Sequence, residues 1–538
     1  MLFSLKKRDI LHRYRHSYLT EESKFAHLIM AKSRFQWEKS LDGFWSRDID
    51  ECELFYRSCS RKDNNCYPVT ACASFIINAE TSKSNENDSQ IEQHVEDAFH
   101  KAWMNLNYNH PSLRSLVQHV EDSGQPKRVY STFQDKNDEK RWLNETFHVV
   151  NVDVDLTQWF NMNSPTFEIS TVFLVRSRQG DTSDCSVFLR CPHDITDGIG
   201  VLQLLDQLFT EAALSYTQGS KYTLPEWGNE HLNLSPCLRV AAAIPETFSE
   251  SDISRFEDIQ AQNRTAYNHP SFLSLPPSSK TATLTHGTRQ RLPLLIPREV
   301  TAQILQNSKA IAPGVNVTHV FMSALAIALA ELQPRQEEPY PVRYANHSMM
   351  NLRPYCRDPY PGPAHAAAAY HTISAQALSI DLIVSGTDNV DQGEANQLPQ
   401  IATSVRGFYH TARPTSSSSS DQVVHSPLTF QAFTPPSGTD PHLVSEPSCC
   451  PVALSSIGNV SSIVDAHHGP FQLTRVWAAS EPIGAGVAVF LGTWDGRIEL
   501  SGVFDTRYHD GGYIEGFLER IVKCVCRGLG IGELPARE

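Results

Sequence analysis

One histidine stands out by its neighbours among the residues able to do chemistry. His193 lies in Cys191-Pro192-His193-Asp194-Ile195-Thr196-Asp197-Gly198. An imidazole titrates near neutral pH, so it can take a proton from an alcohol and return it to a leaving group, the work of a general base. Asp197, four residues later, is the second and weaker catalytic candidate; at the helix start it can instead shape the loop or cap the helix. Gly198 would allow a tight turn and the close approach of a substrate. Taken alone, the pattern is equally a surface turn with a capping aspartate, since the chain holds 22 histidines.

The flanking elements decide between those readings. Val187, Leu189 and Cys191 alternate with Phe188 and Arg190, the period of a strand that Pro192 would end. Val201, Leu204, Leu205, Leu208 and Ala212 recur at helical spacing, so a helix begins near Gly198 with Thr196 or Asp197 as its cap. Phe167, Ile169, Thr171, Phe173 and Val175 also alternate, and a turn from Ser177 to Asp184 around Gly180-Asp181 makes a hairpin with the motif strand. His193 therefore sits on a strand-to-helix connection, held on both sides and able to face a cleft. Asp194 is expected to be solvated.

Elsewhere, a helix is expected near Glu21 to Phe35, a strand from Val69 to Asn78 and a polar turn over Ser82 to Gln90. Ile91, Val95, Phe99 and Trp103 mark a helix that His110-Pro111 stops, and Phe147 to Val154 reads as a strand. From Gly219 to Arg289 the periodicity lapses, which reads as a long crossover. Arg291 to Ile296 reads as a strand and Pro297 to Ser308 as a helix. Thr318 then caps a helix that is apolar on every side from Val320 to Ala330, as burial between layers requires. A strand through His347 to Tyr355 follows. Residues 411–448, with five serines from Ser416 to Ser420, read as a disordered loop. Pro451 to Val460 is a strand, Gly486 to Leu491 and Arg497 to Phe504 form a hairpin, and an amphipathic helix bearing Ile514 to Val525 closes the chain. These readings divide the chain into an N-terminal extension (1–44), an N-terminal lobe (45–218), a crossover (219–289) and a C-terminal lobe (290–538).

Composition narrows the function classes. The chain has 538 residues, 40% of them hydrophobic, enough for two lobes with cores of their own. Its formal net charge of -14 and its lack of a basic tract argue against nucleic acid as a partner. No apolar run reaches the length of a membrane span, and no secretory signal follows Met1, so a cytoplasmic enzyme is expected. The 12 cysteines are scattered without zinc spacing and read as reduced thiols. His365, His371, His467 and His468 show no ligand spacing and receive no role.

The His-x-x-x-Asp-Gly pattern, the buried Ala/Leu helix, Asn351-Leu352-Arg353-Pro354, the Ser455 to Val460 strand and the closing hairpin and helix come in one order. That order resembles the acyl-CoA-dependent acyltransferases of chloramphenicol acetyltransferase fold. The insert around Trp227-Gly228 and Leu234-Ser235-Pro236 is most similar to the fungal trichothecene 15-O-acetyltransferase group. The resemblance implies an α/β (α+β) fold of two lobes, each a mixed sheet flanked by helices, with the active-site channel between them. It implies transfer of an acetyl or other short acyl group from acyl-CoA to a hydroxyl of a secondary metabolite such as a terpenoid, with His193 as base. Acetyl-CoA would be a co-substrate, with no bound cofactor and no metal, and the enzyme would be a monomer. Asp197 would turn away from the reacting atoms and pair with Arg353, leaving Gly198 a structural part.

Ser455, Ser456 or Asn459 could supply the donor that a tetrahedral oxyanion needs. Arg343 with Arg353 could meet phosphates, or belong to ion pairs. Two features depart from related branches. The Asp-Phe-Gly-Trp-Gly segment of the plant alcohol acyltransferases is missing, and Gly492-Thr493-Trp494-Asp495-Gly496 is no substitute. Pro192 stands where condensation domains carry a first histidine. A carrier-protein-dependent condensation or ester-forming domain remains the alternative, with a hydrolase or a non-catalytic binding protein behind it; no Gly-x-Ser-x-Gly elbow supports a serine hydrolase.

Overall fold

A computed structural model describes residues 33–61, 65–78, 88–119, 126–179, 182–278, 287–386, 397–413, 421–442 and 450–532. The helix expected near Glu21 to Phe35 lies almost wholly outside these residues, as do the Gly180-Asp181 turn and most of the Ser82 to Gln90 turn.

Two of the five sheets among the described residues form the centres of the two lobes. The larger has six strands in the order His467–His468, Phe471–Ser480, Pro68–Ile77, Thr182–Pro192, Thr171–Gln179 and Phe147–Val152. All neighbours are antiparallel except the last pair, and the hairpin carrying the motif strand forms as predicted. Helices Asp88–Asn109 and Gly198–Gln218 bury their apolar stripes on one face, with Phe75, Phe99, Phe209 and Phe471 in edge and tilted contact. Alternation puts Phe188 and Phe173 on the opposite face, which packs on Phe490 and Val503 of the second sheet.

The second sheet has the order Val452–Asn459, Val487–Trp494, Arg497–Asp505, Arg289–Leu295. Its cover is the helix Val317–Glu331, buried all round from His319 to Ala330, together with Arg298–Ile311, Leu398–Ala412 and Gly511–Gly528. The cap of the buried helix is Asn316, in a reciprocal capping box with His319, rather than Thr318. Between Ser456 and Gly458 the register slips by one residue, and Gly458 has φ 85°. The bulge leaves Ile457 unpaired and re-aims it.

Other differences from the sequence reading have local causes. Within the expected crossover stands a helix, Glu250–Ala266, capped by Ser249. Only Asn263 of its residues is buried, so it carries no apolar stripe to betray it. Inside the stretch expected as a disordered loop, Ser426–Phe433 is helical and buries Phe430 against Phe55, Tyr56 and His371. The strand expected from His347 to Tyr355 is two pieces, Met349–Asn351 and a helical turn at Arg353–Tyr355. Phe471–Ser480, late in the chain, belongs to the six-stranded sheet and so stitches the lobes together. The described cysteines are all free thiols.

Candidate active site

The motif loop is fixed from both ends. Pro192 pairs with Pro68 at the end of the strand, and the His193 amide donates to the Tyr67 carbonyl at 2.7 Å. On the other side the Asp197 carboxylate accepts from the Gly200 amide at 2.7 Å, capping the helix.

The Asp197 carboxylate is fully engaged by Gly200, Arg353 and Tyr370. Both of its oxygens stand 3.1 Å from the Arg353 guanidinium, and one accepts from the Tyr370 amide at 2.7 Å. Arg353 donates onward to the Ala368 carbonyl at 2.8 Å. Burial alone would raise the Asp197 pKa; Arg353 foremost, with His371 and the Gly200 amide, holds it far below the usual carboxylate range. The expected Asp197–Arg353 pair is thus present in the geometry.

Gly200 is what lets these groups approach. A Cβ there would lie 2.3 Å from the Ala366 carbonyl and 2.6 Å from Arg353 Nη2. Gly198, credited from the sequence with the tight turn, has no left-handed backbone. A Cβ on it would meet only the Ile457 Cδ1 methyl, at 3.2 Å.

His193 lies in a cage of rings and is 7% exposed. Tyr56 stacks on it with centroids 4.0 Å apart and planes 5° from parallel, Tyr67 lies at 6.0 Å and His371 at 5.5 Å. The Tyr56 hydroxyl is 2.7 Å from His371 Nε2, and His371 Nδ1 is 3.8 Å from the Asp197 carboxylate. The ionised carboxylate favours a proton on Nδ1, which assigns Nε2 as acceptor of the Tyr56 O–H. Burial first, and His371 second, push the His193 pKa down to about 3, so the imidazole is neutral at physiological pH. A neutral, fixed imidazole in a dry site can accept a proton from a bound hydroxyl.

Sequence reasoning missed Tyr56 and His371. Tyr56 faces inward from the helix Glu51–Ser58, and His371 arrives on a three-residue strand paired with Met349–Asn351. Neither has a local pattern that marks it.

Asp194 is not solvated. It is buried and bonds Arg128 at 2.7 Å; Arg128 in turn holds Glu53 at 2.8 Å, and Glu53 holds Arg47 at 2.7 Å. Arg343 is paired with Asp381 at 2.5 Å while Arg353 holds Asp197, so the two arginines form separate ion pairs and no phosphate cluster. On the strand Val452–Asn459, Ser455 and Ser456 are half-buried, Asn459 is exposed, and the Ser456 hydroxyl is 2.8 Å from that of Thr318. The residue this strand brings to the motif is the bulged Ile457. Among the described residues, no group of three or more His, Cys, Asp or Glu is placed to hold a metal ion, and no helix is long and apolar enough to cross a membrane.

No protein-family model matches the chain. It is similar to acetyltransferase pigO of Monascus ruber, 23% identical over 363 residues that cover 66% of this chain and 71% of that protein. Among solved structures it resembles TRI3 trichothecene 15-O-acetyltransferase from Fusarium sporotrichioides, with TM-score 0.71 at 13% identity over 92% of this chain and 98% of the other. The condensation domain of the monacolin K polyketide synthase MokA is more distant, with TM-score 0.52 at 12% identity over 91% and 98% of the two chains. The fold is therefore the two-lobed chloramphenicol acetyltransferase-like fold that the motifs resembled.

Proposed function

We propose that this protein is an O-acyltransferase that moves an acetyl or other short acyl group from acyl-CoA to a hydroxyl of a secondary metabolite, a terpenoid being the first class to try. The observation that carries the reading is the neutral, buried His193, stacked on Tyr56, in a fold that resembles that of TRI3. The acetyltransferase relative from Monascus ruber supports the acyl-transfer class.

His193 removes the proton of the acceptor hydroxyl as its oxygen attacks the thioester carbonyl. The tetrahedral adduct then collapses, the carbon–sulfur bond breaks, and the thiolate takes the proton back from the imidazolium, leaving an ester and free thiol. General-base assistance is worth about 10²- to 10⁴-fold, and holding both substrates in one dry site supplies much of the remainder. Asp197 and Arg353 hold the loop, and the Asp197–His371–Tyr56 series orients the ring stacked on His193. Ser455 and Ser456 are candidate donors to the oxyanion. Delivery of the acyl group on a carrier protein is the second reading, supported by the likeness to the MokA condensation domain.

The test is thiol release from acetyl-CoA across a panel of hydroxylated terpenoids and polyketides. Acceptor-dependent release is expected; release from a carrier-bound donor alone would favour the second reading.

A further inference from the structure

Chemistry at His193 requires a substrate to touch its ring, yet His193 is buried among the rings of Tyr56, Tyr67 and His371. Some part of that cover must give way for a substrate to arrive. Three of its walls belong to the site itself. The Tyr67 carbonyl holds the His193 amide, Tyr56 and His371 are bonded to each other, and His371 faces Asp197. Moving any of them dismantles what fixes His193.

The fourth wall is residues 421–442. They lie in sequence between the second lobe's helix Leu398–Ala412 and its strand Val452–Asn459, but they dock on the first lobe. From the helix Ser426–Phe433, the fully buried Phe430 sets its ring against Phe55, Tyr56 and His371, with centroids 5.5, 6.5 and 6.0 Å away. Near the other end His442 lies over Tyr67, 6.4 Å between centroids and 23° from parallel. His442 Nε2 donates to the Cys59 carbonyl at 2.8 Å, which leaves Nδ1 to accept from Arg289 at 3.4 Å. Both tyrosines that cover His193 are thus in contact with this one segment.

Little else ties the segment down. Among the described residues it joins none of the sheets, and its backbone-to-backbone hydrogen bonds run within it, from Thr429 to His425, Thr434 to Phe430 and Thr439 to Pro436. Side chains make its other links. His425 Nε2 donates to the Asp252 carbonyl at 3.0 Å, on the exposed helix Glu250–Ala266, and Gln422 accepts from the Ala375 amide at 3.3 Å. A segment held by a few side-chain bonds and one buried ring opens at less cost than a strand paired within a sheet.

We propose that residues 421–442 are a lid over His193, closed in this structure, that swings off the first lobe to admit substrate, with Phe430 and His442 as its two latches. The proposal rests on the reading of His193 as the reactive group, and not on which donor or acceptor it serves.

Diethyl pyrocarbonate carbethoxylates the neutral imidazoles it can reach, so it reports access to His193 with no acyl donor or acceptor present. Label on the His193 peptide of the full-length protein is followed by mass spectrometry, beside amide deuterium exchange. His193 is expected to gain label in step with exchange of the Ser426–Phe433 amides, while the amides of the helix Gly198–Gln218 stay protected. His442→Ala removes one latch and should speed both together by about 10-fold; Phe430→Leu, which keeps an apolar group in the seat, should speed both by less. His193 labelled while the Ser426–Phe433 amides stay protected puts the entrance elsewhere and overturns the proposal. So does a His193 that takes label only in step with the Gly198–Gln218 amides, or takes none while the Ser426–Phe433 amides exchange. A wrong acyl-transfer reading is told apart from these results, since it would show as absent thiol release with the labelling pattern intact.

Discussion

Asp194 and Asp197 are three residues apart on one loop, both buried and both on an arginine, yet they tie that loop to different parts of the molecule. Asp194 bonds Arg128, on the strand Pro126–Tyr130 of a small sheet in the first lobe, and Arg128 shares itself with Glu53. Asp197 bonds Arg353, which follows the second lobe's buried helix and has no second carboxylate partner among the described residues. Asp197 also faces His371, whose other nitrogen holds the Tyr56 ring on His193. One aspartate fixes the backbone of the loop; the other fixes the backbone, the lobe contact and the orientation of the rings around His193.

The difference is sharpest in stability. Asp197→Ala would leave Arg353 buried without a counter-charge, a loss of about 3–5 kcal/mol. Asp194→Ala leaves Arg128 with Glu53 and is expected to cost less, about 1–3 kcal/mol. Urea unfolding of both variants measures this; an equal or larger loss at Asp194 would erase the distinction. Gly200→Ala should approach the Asp197 result, because its methyl would meet the Ala366 carbonyl and Arg353 and force the cap apart. Gly198→Ala should cost under about 1 kcal/mol, since only the end of the Ile457 side chain must give way.

In activity, Tyr56→Phe and His371→Gln are expected to lower kcat about 10-fold with little change in KM, whereas Asp194→Asn, provided it folds, should leave kcat near wild type. A KM effect from Tyr56→Phe would make it a substrate contact instead.

The pH dependence follows from the burial of His193. With its pKa near 3, kcat/KM should show no loss at pH 6.5 and should fall only as pH approaches that value. Phe430→Ala, which opens the ring cage to water, should move the acid limb up toward 6.5. Stability runs the same way. His193 and His110, the latter held near 4 by burial, stay neutral in the folded chain while their unfolded counterparts take protons below about pH 6.5. Each therefore removes up to about 1.4 kcal/mol per pH unit as pH falls from 6.5 toward the folded value. Thermal unfolding from pH 7 to pH 4 would show it as a declining midpoint.

The motif strand, its helix, the buried helix and the closing hairpin were legible because each is a local periodic pattern that one face of a sheet enforces. The Asp197–Arg353 pair was legible only through resemblance, since nothing local joins residues 156 apart. His371 and Tyr56 were silent because their meeting depends on a three-residue strand and on which helix face turns inward. The helix Glu250–Ala266 carries a local signal, Ser249 with Asp252 as a capping box, but no apolar stripe follows it to mark a helix. The burial of Asp194 was not legible because Arg128 and Glu53 come from a strand and a helix that sequence order does not bring near.

Whether His193 acts as the base of an acyl transfer is decided by thiol release from acetyl-CoA with a hydroxylated terpenoid acceptor, compared between wild type and His193→Ala. Acceptor-dependent release is expected to fall about 10²- to 10⁴-fold in the variant while the protein stays folded. Release that His193→Ala leaves unchanged would contradict that role.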